Sequence, residues 1–221
     1  MSETRLTALL SQKDLLIFDF DGTIVDSSRL HERAFNETFL AFGVPAVDYS
    51  SIAGLTTEDA VDRLIADAGL GVTAPMREAM IRQKRCRFRE LLRSEPLVAG
   101  ASVGFIRRAR RRYLLAIWSS ASLVTIRVGL QQIGLHGVFD SVISGQDVDH
   151  AKPHPEGLLK ILARHKLPAT AALVFEDALS GLEGAAAAGV DALCVTRVAG
   201  TTEMQYASWE ELTTALSEVL R

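Results

Sequence analysis

Four short apolar runs, each ending in a hydroxyl or a carboxylate, constrain the fold of this chain more than any other feature. Leu15-Leu16-Ile17-Phe18 runs into Asp19, and Leu114-Leu115-Ala116-Ile117-Trp118 into Ser119. Leu173-Val174-Phe175 runs into Glu176-Asp177, and Asp191-Ala192-Leu193-Cys194-Val195 into Thr196. Continuous apolar runs of this length, without alternation, read as strands covered on both faces, which belong to parallel sheets. Val142-Ile143-Ser144, before Gly145, is a fifth candidate. Helical patterns fill the gaps at about 102–112, 122–134, 155–166, 179–188 and 208–220. Ligands of open α/β sheets bind outside the carboxyl ends of the strands. The acids and hydroxyls at those ends therefore mark the expected site.

Residues 28–93 break this rhythm. They hold three helix-like segments, near 28–42, 57–68 and 75–93, and no convincing strand. The expected fold is α/β, a three-layer Rossmann-like parallel-sheet core with a small all-helical cap inserted after strand 1. Residues 1–27 and 94–221 form the core and 28–93 the cap. A chain of 221 residues is long enough for both.

A net charge of −3 gives no reason to expect a nucleic-acid or anionic-membrane partner. The run Arg107-Arg108-Ala109-Arg110-Arg111-Arg112 is expected at a helix end, where cations complement the helix dipole. The two cysteines, Cys86 and Cys194, lack metal-ligand spacing and suggest a reducing compartment. Leu6 to Leu10 is too short for the apolar part of a signal peptide, so a cytoplasmic protein is expected. His150, His154 and His165 read as solvated or capping residues.

Asp19-Phe20-Asp21-Gly22-Thr23 carries the strongest chemical signal. Two carboxylates two residues apart at a strand end raise each other's pKa, and burial adds a desolvation cost. A bound cation resolves the conflict, and oxygen ligands suit Mg²⁺. Gly22 lets the chain turn, and Thr23 has a hydroxyl for a neighbouring carboxylate.

Asp-x-Asp-Gly-Thr followed by Val25-Asp26-Ser27 resembles the first motif of haloacid-dehalogenase-type phosphohydrolases, the subfamily with a helical cap. Ser119 is similar to the second-motif Ser/Thr. Lys152 in Ala151-Lys152-Pro153-His154-Pro155-Glu156 matches the third-motif lysine. Glu176-Asp177 with Ser180-Gly181 matches the acidic fourth motif. The motifs stand in order over nearly the whole chain.

The resemblance implies a Mg²⁺-dependent phosphatase of a small phosphorylated metabolite, a sugar phosphate or phosphoglycolate-like acid. In it Asp19 is the nucleophile and becomes an aspartyl-phosphate, and Asp21 is the proton shuttle. Asp19, the backbone carbonyl of Asp21, and Asp177 hold the metal. Glu176 either ligates it, directly or through water, or orients Lys152. Lys152 and Ser119, with Ser120, Gly22 and Thr23, serve the phosphoryl oxygens. In the insertion, His31 stands where sugar-phosphate mutases of the family carry a cap histidine. Lys84, on the stripe of Met80, Ile81, Phe88 and Leu91, is a candidate for an anionic substrate. Gly54-Leu55-Thr56-Thr57-Glu58-Asp59 reads as a turn and helix N-cap. Ala53 and Thr57 stand where β-phosphoglucomutase-like members carry basic residues, a departure from the mutase pattern. A phosphosugar mutase is nevertheless the nearest alternative, and a receiver-like phospho-acceptor the alternative outside enzymes.

Overall fold

A computed structural model describes residues 2–44, 47–53, 55–195 and 207–221. Gly54 and Thr196 lie outside the described residues. The chain splits into two compact units, Met1–Asp26 with Val98–Arg221, and Ser27–Leu97.

The first unit is built on a five-stranded parallel sheet. Its strands are β1 (Leu15–Phe18), β4 (Leu114–Trp118), β5 (Ser141–Ile143), β6 (Ala172–Glu176) and β7 (Asp191–Cys194). The order across the sheet is β5-β4-β1-β6-β7, so β1 is central and the strand order reverses about it. Phe18 is level with Ile117 on one side and Phe175 on the other. That register brings the residues just beyond the three strands to one edge of the sheet. Two short strands, β2 (Val25–Asp26) and β3 (Val98–Ala99), pair antiparallel where the chain leaves the sheet and returns to it. The sequence did not announce them, since two residues are too few for a periodic signal.

Both faces of the sheet are covered. On one, α7 (Glu156–His165) and α8 (Leu179–Ala187) pack Leu158, Ile161, Leu162 and Ala185 against Leu15, Ile17, Ala116, Trp118 and Val174. On the other, Phe18 stacks on Phe175 with ring centroids 4.8 Å apart. Phe105 of α5 (Ser102–Ala109) and Trp209 of α9 (Trp209–Val219) close over that pair. The α6 helix (Leu123–Gln132) follows β4 and is capped by the Ser122 hydroxyl. A reciprocal Ser208–Glu211 capping box starts α9.

One helix was not expected, and one helical expectation needs correction. An N-terminal helix, α1 (Glu3–Ser11), stands where only a short apolar stretch had been read. Its Leu6 and Leu10, one helical turn apart, are fully buried, and the Tyr113 hydroxyl donates to the Leu10 carbonyl at 3.1 Å. The arginine run is also not wholly helical: α5 ends at Ala109, with only Arg107 and Arg108 in its last turn. Arg110 and Arg112 instead reach Asp140 and the Ser11 carbonyl.

The second unit contains α2 (Ser28–Leu40), α3 (Thr57–Asp67) and α4 (Ala74–Ser94). Its core gathers Phe35, Phe39, Val61, Leu64, Met80 and Ile81. Thr56 caps α3 through its side chain, which accepts from the Asp59 amide. Three arginines of α4 pair within the unit: Arg77 with Asp62, Arg85 with Glu58, and Arg87 with Glu37.

Candidate active site

Asp19 sits one residue past the centre strand, its amide bound to the Phe175 carbonyl at 3.0 Å. Glu176 ends the neighbouring strand, so backbone pairing alone sets the two carboxylates side by side. Lys152 reaches this edge from the loop before α7. Its Nζ donates to Asp19 Oδ1 and to Glu176 Oε2, both at 2.7 Å. All three side chains are buried, at 6% exposure for Lys152, 8% for Asp19 and 2% for Glu176. Burial pulls the Lys152 ammonium down, but Asp19 and Glu176 outweigh it and hold the group above its ordinary value. The lysine is a fixed cation.

The acids face the opposite problem. Burial pushes the Asp19 carboxyl well above the usual carboxylate range; Lys152 opposes this, while Glu176, Asp177 and Asp21 add to it. Asp177 is pushed up to about 7, first by burial and then by Glu176, despite the Thr23 hydroxyl that donates to its Oδ1 at 3.1 Å. Among the described residues, four carboxyl groups therefore share one ammonium.

Carboxylate oxygens of Asp19, Glu176 and Asp177 lie within 4.8 Å of one another. The backbone leaves space there. A Cβ on Gly22, whose φ is +82°, would fall 1.9 Å from Asp177 Oδ2. An all-oxygen donor set, gathered where buried acids crowd one another, fits a hard divalent ion of the Mg²⁺ kind. Glu176 is committed elsewhere through most of its atoms. Oε2 accepts from Lys152, and Oε1 accepts from the Asp177 and Ala178 amides at 3.3 and 3.2 Å. The bare Cα of Gly181 faces it, and a Cβ there would meet Oε2 at 2.0 Å.

Ser119 is buried one residue past β4, and its Oγ accepts from the Ala121 amide at 3.2 Å. Ser120, next to it, is exposed, and its carbonyl lies 2.5 Å from where a Cβ on Gly145 would stand. Asp21 and Gly22 lie in the turn after β1, where the Gly22 amide donates to the Val25 carbonyl at 2.7 Å. The expected core residues Asp19, Asp21, Gly22, Thr23, Ser119, Ser120, Lys152, Glu176 and Asp177 thus all lie at or just beyond strand ends or in adjoining turns. His31 and Lys84 belong to the second unit. There Lys84 is buried with Nζ 2.9 Å from His31 Nδ1 and 4.3 Å from the Phe35 ring centroid.

Sequence reasoning missed Trp118. It reads as the last apolar residue of a strand, yet the Lys152 ammonium lies 4.3 Å from its ring centroid. The only sequence trace is a pair of glycines. Cβ atoms on Gly157 and Gly184 would fall 2.3 and 2.6 Å from the indole.

Comparison with known proteins identifies the family. Residues 16–195 match the family described as haloacid dehalogenase-like hydrolase. The chain is 30% identical over 184 residues to the fructose-1-phosphate phosphatase YqaB of Escherichia coli, covering 81% of this chain and 95% of that one. It is 31% identical over 189 residues to CbbY of Cereibacter sphaeroides, covering 80% and 81%. The crystal structure of CbbY from Rhodobacter sphaeroides in complex with phosphate superposes with a TM-score of 0.78 at 26% identity, covering 90% and 96%. The chain belongs to the haloacid dehalogenase-like hydrolase family and is one of its phosphoric monoester hydrolases.

Proposed function

We propose that this enzyme hydrolyses a small phosphate monoester, a sugar phosphate or phosphoglycolate-like acid, through a phosphoryl group carried on Asp19. The observation that carries this reading is the Lys152 ammonium held 2.7 Å from Asp19 Oδ1. A carboxylate nucleophile and a dianionic ester repel each other, at about 4 kcal/mol per unit pair at 4 Å with an effective dielectric near 20. Lys152 offsets part of that cost on the nucleophile's own oxygen and remains for the transferred oxygens. Ser119 Oγ, beside it at the strand ends, is a donor for the same oxygens.

The reaction we infer uses these residues as follows. Asp19 attacks phosphorus in line, forming a P–O bond as the ester oxygen departs. Asp21 gives that oxygen its proton and later takes one from the water that cleaves the aspartyl-phosphate. Asp19, Asp177 and the Asp21 carbonyl would hold Mg²⁺, with Glu176 holding Lys152 in place. When bound, the ion neutralises charge on the phosphoryl group. Thr23 keeps Asp177 turned toward the cluster. The Ser27–Leu97 unit serves as the cap, and its buried His31–Lys84 pair as the substrate-contacting group.

The relative named for fructose 1-phosphate makes sugar phosphates the first substrates to try. A cytoplasmic location accords with such a metabolite; among the described residues no helix is long and apolar enough to cross a membrane. The test is a phosphate-ester panel with Mg²⁺, run in parallel with EDTA and with Asp19→Asn. Free phosphate from wild type, and none from either control, is expected. Full turnover by Asp19→Asn would overturn the nucleophile assignment. Isomerised sugar phosphate in place of free phosphate would favour a mutase.

A further inference from the structure

A second cluster of ligand-bearing side chains lies on the segment that delivers Lys152, and its chemistry differs from that of the acid site. His150 and His154 flank Lys152 two residues to either side, both are exposed, and their ring centroids are 4.5 Å apart. Ligand atoms of His150, His154 and Glu156 lie within 4.8 Å of one another. We propose that these three residues form a separate metal site that takes a borderline transition ion of the Zn²⁺ type and not Mg²⁺.

The donors are already oriented. Glu156 Oε2 accepts from the His150 amide at 2.9 Å, from the Asp149 amide at 3.2 Å and from His150 Nδ1 at 3.1 Å. Its other oxygen is held by Lys160 Nζ at 2.5 Å and the Asp149 amide at 3.1 Å. The Lys160 ammonium and these amides keep the carboxyl ionised down to about 2, so it is anionic wherever an imidazole is neutral. His154 Nδ1 accepts from the Glu156 amide at 3.2 Å, so that nitrogen is unprotonated, with its lone pair on the amide. An ion bound here displaces the Glu156 amide from that lone pair and binds Glu156 Oε2. It also takes Nδ1 of His150, whose proton moves to Nε2. Lys160 keeps Oε1, so the carboxylate need not leave its anchor.

Selectivity follows from donor type. Two imidazoles and a carboxylate suit Zn²⁺, Ni²⁺ or Cu²⁺, whereas Mg²⁺ prefers oxygen and gives up water reluctantly. Three protein donors also leave a tetrahedral ion one position for water. The acid cluster of Asp19, Glu176 and Asp177 offers no nitrogen donor. The same protein therefore sorts two classes of cation by ligand chemistry.

Calorimetric titration of ZnCl₂ into untagged full-length protein, in saturating Mg²⁺, tests this without measuring turnover. A Cys86→Ser background removes the exposed thiol as a competing ligand. Wild type in that background should take up one Zn²⁺ per chain, and His150→Ala and His154→Ala should each weaken that event at least tenfold. Unchanged melting temperatures of the Zn²⁺-free variants would establish that the fold is intact. Absence of Zn²⁺ uptake over the Mg²⁺-loaded protein would show the cluster to be a helix cap alone and overturn the proposal. Equal uptake by wild type and both histidine variants would place the ion elsewhere, with the same consequence.

Discussion

Lys152 lies over the face of Trp118, Nζ 4.3 Å from the ring centroid, while the same ammonium bonds Asp19 and Glu176. The indole occupies a slot that exists because residues 157 and 184 have no side chains. It is the platform that aims the ammonium at the strand ends.

Trp118→Phe should keep most activity, because a smaller ring still presents a π face. Trp118→Leu removes the attraction, worth about 0.5–2 kcal/mol, and kcat should fall by roughly 2- to 30-fold with KM little changed. Steady-state phosphate release on the preferred ester measures both. Equal kcat for the Phe and Leu variants would reduce Trp118 to packing.

Gly22→Ala should abolish metal-dependent turnover while leaving a folded protein. At φ +82° an alanine is strained, and its methyl would clash with Asp177 Oδ2, 1.9 Å away. Mg²⁺ titration followed by thermal shift should show the stabilisation by Mg²⁺ lost. A variant stabilised by Mg²⁺ as strongly as wild type would contradict this.

Lys152→Met should cost more stability than an ordinary substitution. Removing one partner of a buried ion pair typically costs about 3–5 kcal/mol, and here one ammonium serves two buried carboxylates. Urea unfolding in EDTA reads the loss, and Mg²⁺ should restore part of it. Turnover should stay absent even when stability returns.

The metal-free enzyme should lose stability as pH rises. An acid whose folded pKa stands above its unfolded value holds extra protons when folded, so its stabilising contribution is lost as pH climbs toward the folded value. Asp177, pushed up to about 7 from an ordinary 3.8, sets the window between those values, and Asp19 is displaced in the same direction. Melting in EDTA should therefore be lower at pH 8 than at pH 5. Mg²⁺ should raise the melting temperature more at pH 8, where no proton must leave to admit it. A higher EDTA melting temperature at pH 8 would be inconsistent with the clustered acids as described.

Much of this was legible from residue order. Unbroken apolar runs announced the five strands because a doubly covered strand has no polar face to alternate. Asp19, Ser119 and Glu176-Asp177 were found as the residues that interrupt those runs. The α1 helix was missed because Leu6 and Leu10 give a single turn of periodicity, and its burial comes from packing with α9 at the far end of the chain. Trp118 was missed because an aromatic at a strand end looks the same whether it faces a core or an ammonium.

The chain alone determined which residues end each strand, that the acids are crowded, and where the sheet rhythm breaks, because those are local properties of apolar spacing and charge. Only the tertiary structure decided that Lys152 pairs with both Asp19 and Glu176, that Gly22, Gly157, Gly181 and Gly184 are clearances for particular side chains, and that His150, His154 and Glu156 meet. The first of these depends on strand order, which brings together residues as far apart as Asp19 and Lys152, and the others on the path of turns and loops. No local spacing encodes such a distance.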